Sequence, residues 1–254
     1  MIKVLVNGAQ GRMGRTVLDA VKNDSELELV GAVDIFGGEI DGVKVETNLE
    51  TAIDSHKPDV MVDFTRPDSV FKNVMTALEK KVSPVVGTTG LSDDAKEKIR
   101  EAAEKFQTPA FIAPNFAIGA VLMMLLSKQA AKYMPEVEII EMHHDNKLDA
   151  PSGTAELTAK MISEVRETHR QGHPNEKENL PHVRGAEYDG MRIHSVRLRG
   201  YVAHQEVIFG GLGQTLTIRH DSMGRESFMP GVLLACKKVR SLSGLTVGLD
   251  KLLS

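Results

Sequence analysis

Two histidines and a lysine follow a short apolar run, within the stretch Glu138 to Ala155. The run from Val137 to Ile140 is typical of a strand, and His143, His144 and Lys147 come directly after it. Histidine can give or take a proton near neutrality, and a lysine ammonium group carries positive charge. The spacing therefore predicts acid/base chemistry on a single loop.

A helix is predicted to begin immediately after this loop, at Pro151-Ser152-Gly153. The first backbone N–H groups of a helix lack intrahelical partners and attract carboxylate or phosphate. Gly153 would let a ligand approach that backbone closely. Alone, a loop histidine or lysine is more often simply solvated, but the cluster with the helix start indicates a site for a small anion.

A second candidate site is the turn Gly8-Ala9-Gln10-Gly11-Arg12-Met13-Gly14. It follows the apolar strand Ile2 to Val6, and apolar residues then recur at helical spacing. Strand, glycine turn and helix are the parts that bind a dinucleotide pyrophosphate. The spacing Gly-x-x-Gly-x-x-Gly departs from the usual pattern, so the turn alone could be structural.

Asp34 supports the dinucleotide interpretation because it ends a second strand, Leu27 to Val33, where an acid can accept hydrogen bonds from the adenosine ribose. Its charge favours NAD, since a 2′-phosphate would be repelled. Arg12 in the glycine turn could neutralise such a phosphate. The predicted cofactor is therefore NADH or NADPH.

Strands and helices continue to alternate up to Phe116, which predicts an α/β fold with a Rossmann-type doubly wound, mostly parallel sheet. Thr65-Arg66-Pro67 and Gly87-Thr88-Thr89-Gly90 follow two of the strands, at the edge where such sheets bind ligands. We expect both loops to line the nicotinamide. Gly87 to Gly90 could instead be only a turn before a helix capped by Ser92.

The pattern changes after Phe116, and residues 1–116 and 221–254 are predicted to form the dinucleotide-binding domain. Residues 117–220 would form a second α+β domain with a mainly antiparallel sheet, for substrate binding and oligomerisation. Three alternating segments predict an antiparallel meander there: Met191 to Leu198, His204 to Phe209 and Gln214 to His220.

Composition excludes several classes of protein. The 254 residues are 41% hydrophobic and 26% charged, and a net charge of −4 argues against a nucleic-acid partner. Cys236 is the single cysteine and lies in an apolar run, which predicts a buried thiol in a reducing cytoplasm. No signal peptide or membrane span is expected. His169 and His173 lack further ligands, so no metal is predicted.

The stretch Glu138 to Ala155 resembles the signature of the 4-hydroxy-tetrahydrodipicolinate reductase family, also called dihydrodipicolinate reductase, of lysine biosynthesis. The family pattern is an acidic strand end, a histidine pair, a lysine four residues after the first histidine, and Asp-x-Pro-Ser-Gly-Thr-Ala. Every position is matched here. The resemblance implies NAD(P)H-dependent reduction of a cyclic imine that carries two carboxylates.

The resemblance also implies roles for particular residues. His143 and Lys147 would be catalytic, and the substrate would be held by His144, Gly153 and Thr154. Glu141 and Asp149 are expected to orient the loop. The cofactor would contact the loop Gly87, Thr88 and Thr89 and the segment Ala113, Pro114, Asn115 and Phe116. The family is usually tetrameric through its second sheet, which implies a homotetramer. A basic residue often follows the ribose-binding acid in this family, and Ile35 stands there instead.

Two other classes of protein remain as alternatives. One is a different two-domain dehydrogenase, such as an enzyme acting on a semialdehyde, but that chemistry requires a thiol nucleophile and Cys236 is poorly placed for it. The other is a non-enzymatic NAD(P)H-binding redox sensor. A sensor would not need His143 and Lys147 together.

Overall fold

The computed structural model describes residues 1–253. They divide into two units, of which the first contains Met1–Ile118 and the segment from Arg225 onward, and the second contains Gly119–Gly224. The first unit begins with seven strands: β1 (Ile2–Asn7), β2 (Leu27–Val33), β3 (Gly38–Ile40), β4 (Val43–Glu46), β5 (Val60–Asp63), β6 (Ser83–Val86) and β7 (Ala110–Ile112).

Four helices alternate with these strands: α1 (Arg12–Lys22), α2 (Leu49–His56), α3 (Val70–Glu79) and α4 (Asp93–Phe106). The central strands are continuous apolar runs because helices pack over a parallel sheet. α1 buries Val17, Leu18 and Val21, which lie on one face. Each such side chain removed from water contributes about 1.5–3 kcal/mol. α4 begins as expected, with Ser92 accepting a hydrogen bond from the Ala95 N–H at 3.1 Å.

The second unit contains the helices α5 (Ile118–Ala131), whose first residue belongs to the first unit, and α6 (Gly153–Ser163). Its sheet is built from β8 (Glu136–His143), β9 (Ala186–Tyr188), β10 (Met191–Arg197), β11 (Ala203–Gly211) and β12 (Gln214–Ser222). The strand order is β12-β11-β8-β10-β9. All pairs are antiparallel except β8 with β10, which is parallel.

The predicted meander of the last three long strands is wrong in one respect, because β8 lies between β10 and β11. β8 buries Val137, Ile139 and Glu141 on one face, and it is the central strand of the five. The insertion places the end of β8 beside the end of β10. Arg197 of β10 is therefore the residue paired with His143 in the sheet.

The chain then returns to the first unit through α7 (Met229–Lys238) and β13 (Leu245–Val247). β13 pairs with β7 and completes an eight-stranded sheet in the order β13-β7-β6-β5-β1-β2-β4-β3. Only β3 and β4 pair antiparallel in it. This sheet is the predicted Rossmann-type, mostly parallel sheet. Among residues 1–253, no helix has the length and apolar character needed to cross a membrane.

Candidate active site

The glycine turn between β1 and α1 is shaped by close backbone approaches. Gly8 has φ +82°, and a Cβ atom there would lie 2.4 Å from the Phe64 carbonyl oxygen. A Cβ atom on Gly14 would lie 2.0 Å from the Gly8 carbonyl oxygen. No side chain caps α1 at Gly11. The helix start can therefore offer its first N–H groups to a diphosphate.

Asp34 lies beside this turn, since its Oδ2 accepts a hydrogen bond from the Gln10 N–H at 2.9 Å. A cavity of about 710 Å³ opens there, within the range of pockets that hold small ligands. Its lining includes residues of the turn, of the segment after β2 and of the β5–α3 connection, among them Gly8, Gln10, Gly11, Asp34, Phe36, Phe64, Thr65 and Arg66.

The cavity fits a nicotinamide dinucleotide in its chemistry. The first N–H groups of α1, next to the cavity lining at Gly11, suit the diphosphate, the Asp34 carboxylate suits a ribose hydroxyl, and the exposed side chains of Ile35 and Phe36 supply apolar surface for a base. Ala9 is fully buried and is not among the residues that line the cavity. Arg12 and Met13 lie in the first turn of α1 and do not line the cavity.

The loops predicted to lie near the nicotinamide are joined by a residue that the sequence did not reveal, Asp63. This fully buried carboxylate at the end of β5 accepts hydrogen bonds from Asn7 Nδ2 at 2.9 Å, Thr65 Oγ1 at 2.7 Å and Thr88 Oγ1 at 2.8 Å. Asn73 Nδ2 donates to it at 3.0 Å. The only signal in the sequence was an acid at the end of an apolar strand.

The remaining predicted cofactor residues divide into packed and exposed ones. Gly87 is required by packing, because a Cβ atom there would lie 2.1 Å from the Phe64 ring. Phe116 is buried and its ring lies 5.9 Å from that of Phe64.

Ala113 is also buried, and the Asn115 side chain accepts a hydrogen bond from the Ala117 N–H at 2.8 Å. Thr89 and Pro114 are exposed.

The second unit brings the predicted acid/base residues together on one strand, loop and helix start. β8 ends at His143, and α6 begins at Gly153 after Ser152, whose hydroxyl accepts a hydrogen bond from the Ala155 N–H at 3.2 Å. His144 and Gly153 are exposed, and Thr154 is half-buried in the first turn of α6. The predicted strand, loop and helix start are therefore present.

His143 is held by Glu141. The His143 Nδ1 atom lies 2.5 Å from Glu141 Oε2, and the Glu141 side chain is completely buried. Burial by itself would raise the pKa of Glu141, but hydrogen bonds from His143 and Arg197 outweigh it and lower that pKa to about 2. Glu141 is therefore ionised at neutral pH. It fixes the ring and leaves Nε2 as the nitrogen that can exchange a proton with a ligand.

Lys147 forms an ion pair within the loop. Its Nζ atom lies 2.7 Å and 2.9 Å from the two carboxylate oxygens of Asp149. The hydrogen bond from Lys147 lowers the pKa of Asp149, so that carboxylate is charged at neutral pH. Glu141 and Asp149 thus hold the loop residues, as expected from the sequence. Arg197 of β10, which sequence reasoning missed, also contacts this loop.

Candidate metal ligands and the single thiol were the other groups considered for chemistry. Within residues 1–253, no three histidine, cysteine, aspartate or glutamate side chains group as metal ligands would. Cys236 is fully buried in α7, as predicted, and burial raises the pKa of its thiol to about 12. A thiol with that pKa supplies almost no thiolate at neutral pH. This contradicts the thiol-dependent dehydrogenase alternative.

A Rossmann-type unit with a dinucleotide cavity, together with a unit that carries acid/base groups, defines an NAD(P)-dependent oxidoreductase. The family models named "Dihydrodipicolinate reductase, N-terminus" and "Dihydrodipicolinate reductase, C-terminus" match residues 2–116 and 119–253. The chain belongs to the dihydrodipicolinate reductase family.

Relatives match the chain over nearly its whole length. The 4-hydroxy-tetrahydrodipicolinate reductase of Desulfitobacterium hafniense (strain DSM 10664 / DCB-2) is 52% identical over 99% of this chain and 98% of its own. That of Oceanobacillus iheyensis is 51% identical over 99% of each. A dipicolinate-bound dihydrodipicolinate reductase from Paenisporosarcina sp. TG-14 superposes with a TM-score of 0.92, 48% identity and 99% coverage of both chains.

The relatives confirm the predicted fold class, the reductase activity and the use of NADH or NADPH. They also confirm the predicted place in lysine biosynthesis. A more distant structure, an amine dehydrogenase from Mycobacterium smegmatis, shares only the fold, with a TM-score of 0.67 and 12% identity.

Gly14→Ala tests the packing of the glycine turn. The new Cβ atom would meet the backbone oxygen of Gly8, which cannot move aside as a flexible side chain could. We expect a loss of about 1–3 kcal/mol in the free energy of unfolding, measured in urea, and weaker binding of reduced cofactor. Gly153→Ala is the control, because no atom lies within 4 Å of its added Cβ. Equal stability of both variants would contradict the packing argument.

Cys236 should be irrelevant to turnover. We expect iodoacetamide to leave the native enzyme unmodified and fully active over the time of an assay, because the thiol is buried and protonated. Mass spectrometry measures the modification, and protein unfolded in urea is the control that must react. Loss of activity on alkylation of native Cys236 would revive thiol catalysis.

Proposed function

We propose that this reductase converts 4-hydroxy-tetrahydrodipicolinate, through the dehydrated cyclic imine, to tetrahydrodipicolinate, with His143 and Lys147 as its acid/base residues. One observation supports this assignment. His143, at the end of β8, is held by the buried carboxylate of Glu141, and Lys147, in the loop that follows, is held by an ion pair with Asp149. The dipicolinate in the related Paenisporosarcina structure is a ring of the same class, with two carboxylates.

Binding of the substrate is assigned to the loop and the start of α6. A dicarboxylate needs positive charge and donors, which His144, Lys147 and the first N–H groups of α6 supply. Gly153 allows close approach because no atom lies within 4 Å of the position where a Cβ would be. Thr154 adds a hydroxyl in the first turn of the helix. We assign His144, Gly153 and Thr154 to the two carboxylates.

Proton delivery is assigned to the same loop. When bound, the reduced nicotinamide would supply the hydride that carbon 4 of the ring requires. The accompanying proton must reach carbon 5. His143 can donate it from Nε2 while Glu141 stabilises the charged ring, and Lys147 can donate it from Nζ once Asp149 is displaced.

The first unit is assigned to the dinucleotide. The N–H groups of the glycine turn would hold the diphosphate, and Asp34 would hold the adenosine ribose. Gly87 to Thr89 and Ala113 to Phe116 would support the nicotinamide, with Thr88 fixed by the buried Asp63. We assign the cofactor domain to residues 1–116 and 221–254 and the substrate and oligomerisation domain to residues 117–220; the compact units divide a few residues later, after Ile118 and Gly224.

We further propose a homotetramer that forms through the sheet of the second unit. β12 is an edge strand with Leu216 partly exposed, and Leu212 in the preceding turn is fully exposed. Unpaired edges and exposed apolar side chains are features that assembly can cover.

We place the enzyme in the cytoplasm, where its pathway operates; recovery from a membrane pellet would contradict that placement.

Removal of either acid/base side chain tests their assignment. We expect His143→Ala and Lys147→Ala each to lower kcat by at least ~10²-fold, as for lost acid/base groups. Binding of reduced cofactor should be unchanged, because the first unit holds it. The assay follows the absorbance of the reduced cofactor while the preceding synthase makes substrate from pyruvate and aspartate semialdehyde.

Matched controls are available in the same unit. His173→Ala and Lys132→Ala remove the same side-chain types at exposed positions outside the loop, and we expect them to retain wild-type kcat. Turnover near wild type in the His143 and Lys147 variants would contradict their roles. Cofactor binding by the wild type without turnover of the cyclic imine would instead favour a redox sensor.

The tetramer is tested by mass. Sedimentation equilibrium should give four times the 27.8 kDa of one chain. A charged substitution on the proposed surface, Leu216→Glu, should lower that mass by disfavouring burial of the sheet face, whereas Leu122→Glu, on the exposed face of α5, should not. A monomeric wild type at micromolar concentration would contradict the assembly.

A further inference from the structure

The loop between β8 and α6, which carries His144, Lys147 and Asp149, rests on an ion pair between neighbouring strands. Arg197 of β10 donates two parallel hydrogen bonds to Glu141 of β8, from Nη1 to Oε2 at 2.9 Å and from Nη2 to Oε1 at 2.8 Å. The Glu141 side chain is fully buried and that of Arg197 is 20% exposed. Such a carboxylate is strongly destabilising unless it is paired, and the planar guanidinium group matches it geometrically.

The remaining hydrogen bonds of this pair go largely to the loop. Glu141 Oε2 binds His143 Nδ1 at 2.5 Å, and Oε1 accepts a hydrogen bond from the Ser152 N–H at 3.2 Å. Arg197 Nη2 donates to the Asp149 carbonyl oxygen at 2.7 Å. The pair therefore contacts the loop at its beginning, near its end, and at the residue that holds Lys147.

Both candidate proton donors are thus connected to one guanidinium group. On one side the connection runs from Arg197 through Glu141 to His143. On the other it runs from Arg197 through Asp149 to Lys147, whose Nζ lies 2.7 Å from Asp149 Oδ1. Each of these contacts is charge-assisted or involves the backbone of the loop, so all of them restrict loop geometry.

We propose that Arg197 is a positioning residue for the reduction, which through Glu141 and Asp149 fixes His143 and Lys147 in the arrangement that proton delivery requires. The inference rests on the proposed roles of those two residues. Arg197 acts through its partners, and so its loss should affect turnover more than binding of the dinucleotide, which belongs to the first unit.

Arg197→Lys is the decisive variant, because it keeps the positive charge but cannot make the two parallel bonds and the bond to the Asp149 carbonyl together. We expect kcat to fall ~10- to 100-fold, the effect typical of a lost partner of a functional side chain. Affinity for reduced cofactor, measured by its fluorescence, should stay within about twofold of the wild type. Thermal unfolding measured in parallel shows whether the variant is folded.

Arg199 provides a matched control. It lies two residues along the chain and pairs with Asp145 of the same loop, Nε to Oδ2 at 3.1 Å, but its side chain is 93% exposed. Exposed pairs of this kind contribute little. Arg199→Lys and Arg199→Met should therefore retain wild-type kcat and KM.

The pH profile gives a measurement that a purely structural role would not change. Arg197 and His143 are the charged groups hydrogen-bonded to Glu141, and burial opposes them by raising its pKa. In Arg197→Met one of the two is lost, so the pKa of Glu141 should rise. The acid limb of kcat should then move to higher pH, while in Arg199→Met it should not move.

The outcomes separate the possibilities. A lower unfolding temperature with unchanged kcat and an unchanged acid limb in the Arg197 variants would make Arg197 a structural contact and overturn the proposal. If Arg197→Met does not fold, the kcat of Arg197→Lys decides alone. Failure of the wild type to turn over the cyclic imine would instead contradict the proposed function itself.

Discussion

A buried carboxylate must be fully compensated, and this constraint organises the loop between β8 and α6. Glu141 lies at full burial next to His143, and its two oxygens are occupied by His143, Arg197 and the Ser152 N–H. Satisfying this one group requires β8 and β10 to be neighbours and the loop to return to the sheet. The cost of leaving it unpaired would be several kcal/mol, and so the loop geometry follows from the electrostatics of a single side chain.

The same constraint recurs in the first unit with different chemistry. Asp63 is also completely buried at the end of a strand, but amide and hydroxyl groups compensate it instead of a guanidinium. These donors come from four different segments that surround the ends of β1, β5 and β6. A fully satisfied network of neutral donors around one buried acid is rigid, and it ties the loops after β5 and β6 to each other.

Local features of the sequence predicted much of the fold and the site. The strand, loop and helix around His143, the glycine turn and the buried Cys236 all depend on residues near one another in the chain. Asp63 and Arg197 could not be found in this way, because Asn7 and Asp63, and likewise Glu141 and Arg197, are separated by 56 residues. The position of β8 between β10 and β11 was missed because alternation within a strand does not identify its neighbours.

The pairing of Lys147 with Asp149 has a consequence for affinity. Under the proposed function, a substrate carboxylate that bound Lys147 would replace one that is already there, so the number of ion pairs would be conserved and the net electrostatic gain would be modest. The same exchange operates in reverse when a ligand departs, since Asp149 can recapture the ammonium group at once. A site in which a protein carboxylate competes with the ligand for the same ammonium group would favour fast exchange of anions over tight binding.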